Sequence, residues 1–185
     1  MSTHFTDQLL IAMPGLSDPN FAHSVVYLCA HNEQGALGLV VNRPMEVTLG
    51  EVLSHLGIPC RDETVAAQPV YFGGPVELER GFVLHYPAGE WEHTFSTPSG
   101  LALTTSRDVL RAVAEGRGPE RYLVALGYSG WSAGQLEEEV AANVWLCGPG
   151  DHRIVFELPP AERLAAAARA IGVDLSRLSS DVGHA

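Results

Sequence analysis

The apolar residues of this chain come in short unbroken runs, and that pattern limits the fold more than anything else in the sequence. "QLLIAM" (8–13), "SVVYLCAH" (24–31) and "ALGLVVNR" (36–43) are too short for core helices and too continuous for a half-exposed strand. They read as buried strands. The tetrapeptide "NEQG" between the second and third, with Asn first and Gly last, predicts a hairpin. Further strands are expected at 69–76, 81–86, 101–105 and 121–127, with a turn between the first two and a loop over 87–100. "VWLC" and "RIVFEL" (153–158) are short apolar stretches of the same kind.

Helical segments interrupt these runs. "TLGEVLSHLG" (48–57) opens with the T-x-x-E spelling of a capping box, and Leu49, Val52, Leu53 and Leu56 share one face. Helices are also expected over 106–116, over 135–143 and in "PPAERLAAAARAIG", where Pro160 suits the first turn and Gly172 the end. Asp18 and Pro19 suit the start of a single helical turn. Interleaved strands and helices with at least one hairpin predict an α/β fold: a single domain over 1–185, a mixed β-sheet with helices packed on its faces, and a mobile tail over 179–185.

Charge narrows the function. The formal net charge is −11, which repels phosphate backbones and anionic lipid, so direct DNA binding is disfavoured. All 11 basic residues are arginine. Without lysine the chain has no Walker A lysine, no kinase strand lysine and no Schiff-base lysine. No apolar run approaches the ~18 residues of a membrane span, and "MSTHFTDQLLIAMPG" lacks the basic start of a signal peptide. A cytoplasmic protein with no membrane association is expected. Cys29, Cys60 and Cys147 are far apart and read as free thiols. The eight histidines show no H-x-H or H-E-x-x-H spacing, so neither a metal nor a cofactor is expected.

One motif argues for catalysis. "GWSAG" (130–134) is G-x-S-x-G, the nucleophile-elbow pattern, with a strand-like run before it and a helix-like run after. It makes a serine-esterase-like hydrolase of small molecules, built on the Gly130–Gly134 turn, the alternative reading. Against it, Ser132 stands beyond the expected strand end, Ser129 has Trp131 where a small residue is required, and no acid-then-histidine pair follows in a usable position.

Taken together, "LLIAMPGLSDPNFAHSVVYLCAHNEQGALGLVVNRP", "YFGGPVELERGFVLH", "LALTTSRDVL" and "GYSGWSAGQLEEEVAANVWL" resemble, in order, the blocks of the YqgE/AlgH family of bacterial proteins. The resemblance runs to about the final helix. It implies a cytosolic α/β protein of unassigned biochemical function, and one branch of the family is named for a link to control of alginate production. The family block reads G-W-x-x-G-Q-L-E and admits Ala or Gly where Ser132 stands, which implies that Ser132 is no nucleophile. No catalytic set comes with the resemblance.

The leading reading is therefore a protein that binds a small ligand or a protein partner without catalysing a reaction, with a role in transcriptional regulation exercised through that partner. Its candidate site gathers four segments at strand ends: Asp18 and Asn20 in "DPNF", Asn42 and Arg43 in "NRP", Gly73 and Gly74 in "FGGP", and Gly130, Trp131, Gln135 and Glu137 in "GWSAGQLE". The bland alternatives are an ion pair of Arg43 with Glu46 or Glu137, core positions for Trp131 and Trp145, and close backbone approach at the glycines.

Overall fold

The computed structural model describes residues 4–182, without the side chains of 179–182. Its strands are β1 (Gln8–Ala12), β2 (Val25–Asn32), β3 (Gly35–Val40), β4 (Pro44–Thr48), β5 (Pro69–Phe72), β6 (Val76–Tyr86), β7 (Thr94–Ser96), β8 (Ala102–Thr104), β9 (Arg121–Ser132) and β10 (Trp145–Pro149). Its helices are α1 (Leu49–His55), α2 (Glu63–Ala66), α3 (Arg107–Ala114), α4 (Gln135–Ala141), α5 (His152–Phe156), α6 (Pro160–Arg169) and α7 (Leu175–Val182). The main path of the sheet runs β10-β1-β2-β3-β9-β6-β8-β7, and β5 joins β4 to β9. The contact of β5 with β9 is parallel, while the other strand pairs are antiparallel.

Both faces of this sheet are covered, which is why its strands are continuously apolar. Leu9, Ile11, Val25, Tyr27, Leu39, Leu84 and Leu123 point to one face, where Ile154 of α5 and Ala167 of α6 complete the core. Their neighbours Leu10, Ala12, Val26, Leu28 and Val40 point to the other and meet Leu136 of α4, Trp131 and Trp145. Farther along that second face, α1 and α3 bury Leu49, Leu53, Val109 and Val113 against Val83 and Val124. The capping box at Thr48 and Glu51 forms as its spelling predicts.

The sheet curls far enough for its two ends to meet. The Tyr27 hydroxyl reaches Thr97 Oγ1, just past β7, at 3.2 Å, although four strands separate β2 from β7 along the sheet. Burial and the carboxylate of Asp7 both push the Tyr27 pKa upward, so this phenol stays protonated as a donor.

Several expectations need correction. Residues 77–80 are not a turn, because β6 runs from Val76 to Tyr86 with a bulge before Gly81. β5 and β6 therefore do not form a hairpin, and each pairs instead with β9. The loop 87–100 contains β7, and "PMEVT" forms β4 despite its alternating exposure. "RIVFEL" is mostly the short helix α5, started by Asp151, whose carboxylate accepts from the Arg153 amide. The expected tail begins inside α7, and residues 183–185 lie outside the described residues.

β9 is also longer than expected. It bends at Gly127, where φ is +76°, and continues to Ser132. At the bend the Gly73–Gly74 backbone lies directly against Gly127 and Tyr128, so closely that a Cβ at either Gly73 or Gly74 would collide with main-chain atoms. Gly130, by contrast, has only the Tyr128 ring near its Cβ position, at 3.4 Å. Gly74→Ala is therefore expected to destabilise the fold by about 2–4 kcal/mol in urea unfolding. Gly130→Ala should stay within about 1 kcal/mol of wild type.

Candidate functional site

The first two candidate segments come together through Asn42 and Arg43. In the 18–23 turn, the Asp18 carbonyl accepts from the amides of Phe21 and Ala22, and its carboxylate accepts from the Asn20 amide. Asn42, just beyond β3, accepts from the Val25 amide at 2.9 Å and donates to the His23 carbonyl at 3.0 Å. Arg43 then donates to the carbonyls of Pro19 and Asn20, each at 2.8 Å, and to that of Ala22. Its guanidinium carbon also sits 5.9 Å from the centre of the Phe72 ring. Burial lowers the Arg43 pKa, which the charge of Asp18 partly offsets. The expected ion pair with Glu46 or Glu137 is not what this arginine makes. It binds the turn by its carbonyls, which a fork of planar donors does well.

The third segment abuts the second. The Phe72 amide donates to the Arg43 carbonyl at 2.9 Å. The Gly73 carbonyl accepts from the Val40 amide at 2.8 Å and from the Ser129 hydroxyl at 3.0 Å. Gly73 and Gly74 thus serve the strand crossing, and their amides form no open cradle for an anion.

The fourth segment joins the others through aromatic rings. Phe21 lies 6.1 Å from Trp131 and 5.7 Å from Trp145, centre to centre. Both tryptophans are buried. Their indole N–H groups share one acceptor, Glu139 Oε1, at 3.0 and 2.9 Å, while Gln135 donates to Glu139 Oε2 at 2.8 Å. Glu139, absent from the sequence-based candidates, is therefore the polar centre of this segment. Its signal was present: tryptophans on both sides of one short acidic helix need acceptors when buried. Glu137 points elsewhere, 3.0 Å from His31 Nε2, and this hydrogen bond lowers its pKa. Gly130 pairs with Leu37 of β3 and touches no polar candidate.

Ser132 is the last residue of β9, so the strand runs through the position where an elbow would turn. Ala133 and Gly134 make the turn instead, with Gly134 at φ +77°. The Ser132 amide and hydroxyl both donate to Gln135 Oε1, at 3.0 and 3.2 Å. One serine–histidine side-chain contact does occur among the described residues, between Ser99 Oγ and His152 Nε2 at 3.3 Å. There Asp7 lies on the serine, accepting from its amide and hydroxyl at 2.9 and 2.7 Å, and among the described residues no carboxylate orients His152 as a base. Among the described residues no group of three or more His, Cys, Asp or Glu gathers as a metal site. No helix among the described residues is long and apolar enough to cross a membrane.

A second region was not anticipated from sequence. Arg163 of α6 is only 4% exposed. It donates to the carbonyls of Leu158 and Val41, at 2.9 and 2.6 Å, and its guanidinium carbon stands 5.3 Å from the centre of the Tyr71 ring. It borders a 310 Å³ cavity between β5, β9 and α5. "PPAERLAAAARAIG" shows an ordinary exposed helix start, and only the tertiary fold turns its arginine inward.

Removing the Glu139 acceptor orphans two buried N–H donors. Glu139→Ala should therefore lower stability by about 2–4 kcal/mol and shift tryptophan emission to the red. Glu139→Gln keeps an acceptor oxygen and should stay within about 1 kcal/mol of wild type. Equal losses in the two variants would contradict the network.

Comparison with known proteins agrees with this architecture. The family model described as AlgH-like matches residues 9–176. A UPF0301 protein of Cupriavidus metallidurans is 55% identical over 98% of this chain and 96% of its own length. One from Thioalkalivibrio sulfidiphilus is 56% identical over 100% and 98%. The solution structure of the AlgH protein from Pseudomonas aeruginosa, 49% identical, superposes with a TM-score of 0.82 and covers 100% of this chain and 98% of that one. A crystal structure of a Corynebacterium diphtheriae protein shares the fold at 19% identity, with a TM-score of 0.74 over 96% of this chain and 93% of that one. The chain belongs to the AlgH-like family.

Proposed function

We propose that this protein acts by binding, with no covalent chemistry of its own. The observation that carries the reading is the state of its one catalytic motif. Ser132 is a strand residue held by Gln135, with no base on its hydroxyl. A hydrolase needs nucleophile, base and orienter within hydrogen-bond reach. The Ser99 cluster has those residue types, but its carboxylate bonds to the serine and not to the histidine.

The four candidate segments support the same conclusion from another side. Arg43, Asn42, Trp131 and Gln135 satisfy groups within the protein, as a packing junction does. We read them as the scaffold that fixes the 18–23 turn and α4 against the sheet. Any ligand or protein partner then uses other surfaces. With a net charge of −11, a role in transcriptional control runs through such a partner and not through contact with DNA.

A fluorophosphonate probe tests this directly. It should leave the wild type unlabelled, and Ser132→Ala should match wild-type stability within about 1 kcal/mol. Labelling that disappears in Ser132→Ala or in Ser99→Ala would establish a serine hydrolase. In a gel shift at physiological salt, no duplex should form a complex that survives competitor DNA. A surviving specific complex would overturn the indirect role.

A further inference from the structure

We infer that the cavity beside Arg163 is a binding site for a small monocarboxylate with an apolar body. The inference deepens the binding role proposed above and rests on it.

Arg163 is an anomaly in charge terms. It is almost wholly buried, yet among the described residues no carboxylate comes within ion-pairing distance of it. Buried arginines are ordinarily paired, because desolvating a lone cation is costly. Here two carbonyls and the face of Tyr71 share the charge. Burial consequently lowers the Arg163 pKa, and Tyr71 acts in the opposite direction. Carbonyls orient a guanidinium but carry no net charge, so the counterion is missing from the fold itself.

The cavity is where a counterion fits. Arg163 and Tyr71 line it together with Tyr122 and Gln68. Leu123, Val155 and Phe156 supply an apolar part of its wall. A volume of 310 Å³ is at the small end of ligand sites. The carbonyls of Leu158 and Val41 take Nε and one hydrogen of Nη1, which leaves the second Nη1 hydrogen and Nη2 as donors for one oxyanion.

The charges that line the cavity disfavour a dianion. The second arginine at the cavity, Arg121, is already paired with Glu157 at 3.3 Å. Glu120 adds a further negative charge at the rim. Inside that ring a single positive charge is uncompensated. One carboxylate matches that charge and leaves the site with a single excess negative charge, that of Glu120, whereas a phosphate dianion leaves two. The apolar wall then takes a short aliphatic or aromatic body.

The test is an NMR titration of the full chain with phenylacetate and hexanoate. Neutral phenylacetamide and inorganic phosphate serve as comparisons. The carboxylates should shift the amides of Gln68, Tyr122, Leu123 and Val155 saturably, while the amide and phosphate should not. Arg163→Met keeps the side-chain length without the charge, and it should weaken carboxylate binding at least about tenfold. Arg121→Glu changes only the half-exposed rim and should weaken it about fivefold by repulsion. If Arg163→Met fails to fold, Arg121→Glu decides. No saturable shift at the cavity amides, unchanged affinity in the folded variants, or phosphate binding as tight as the carboxylates each overturns the inference. The binding role itself survives these outcomes, since a ligand can lie elsewhere. That broader reading fails on serine labelling, whether or not a carboxylate binds.

Discussion

The fold depends on a backbone contact. β9 carries neighbours on both edges, with β6 along one side and β3 and β5 sharing the other. Sharing an edge requires β5 to end where β3 begins to pair, and the chain must leave β5 without a clash. Gly73 and Gly74 make that exit possible by lying against Gly127 and Tyr128, where no side chain has room. The Gly73 amide donates to Leu126 and its carbonyl accepts from Val40, so this one residue joins β9 to the strand beyond it. Once that crossing is set, the sheet can curl until Tyr27 reaches Thr97. Both faces are then closed by helices.

The same logic governs the polar residues. A curled sheet with short connections leaves turns whose backbone groups face inward, and these need partners. Arg43 and Asn42 supply them for the 18–23 turn. Glu139 supplies an acceptor for two indoles. These groups resemble a functional cluster because strong donors and acceptors gather at strand ends, but each is matched within the protein. Arg163 differs because two carbonyls take only part of its donors and leave its charge uncompensated.

Much of this was legible in the sequence. The unbroken apolar runs gave the buried strands, since burial on both faces removes alternation. Thr48 and Glu51 announced α1 by local chemistry, and "NEQG" announced the β2–β3 hairpin. What escaped was set by distant partners. β6 reads as a turn at 77–80 because Glu77, Glu79 and Arg80 are polar and exposed, and only pairing and the bulge near Gly81 make it a strand. "GWSAG" spells an elbow, but β3 pairs with β9 through Ser132 and straightens it. The four candidate segments, gathered from their turn residues as a ligand or partner site, lie against one another through Arg43, Phe72 and Phe21. Their turn residues could not distinguish polar groups that satisfy the backbone from groups held ready for a ligand. Arg163 stayed hidden because its burial comes from β5 and β9, far away in sequence.

The central claim is that the Gly73–Gly127 crossing is part of the global core. Native-state hydrogen exchange of the Gly73 and Val40 amides tests it most directly. Both hydrogen bonds belong to the crossing, so both amides should exchange only through complete unfolding, with free energies equal to that from urea denaturation. Exchange of either through a local opening, insensitive to low urea and well below the global value, would show that the sheet holds together without the crossing.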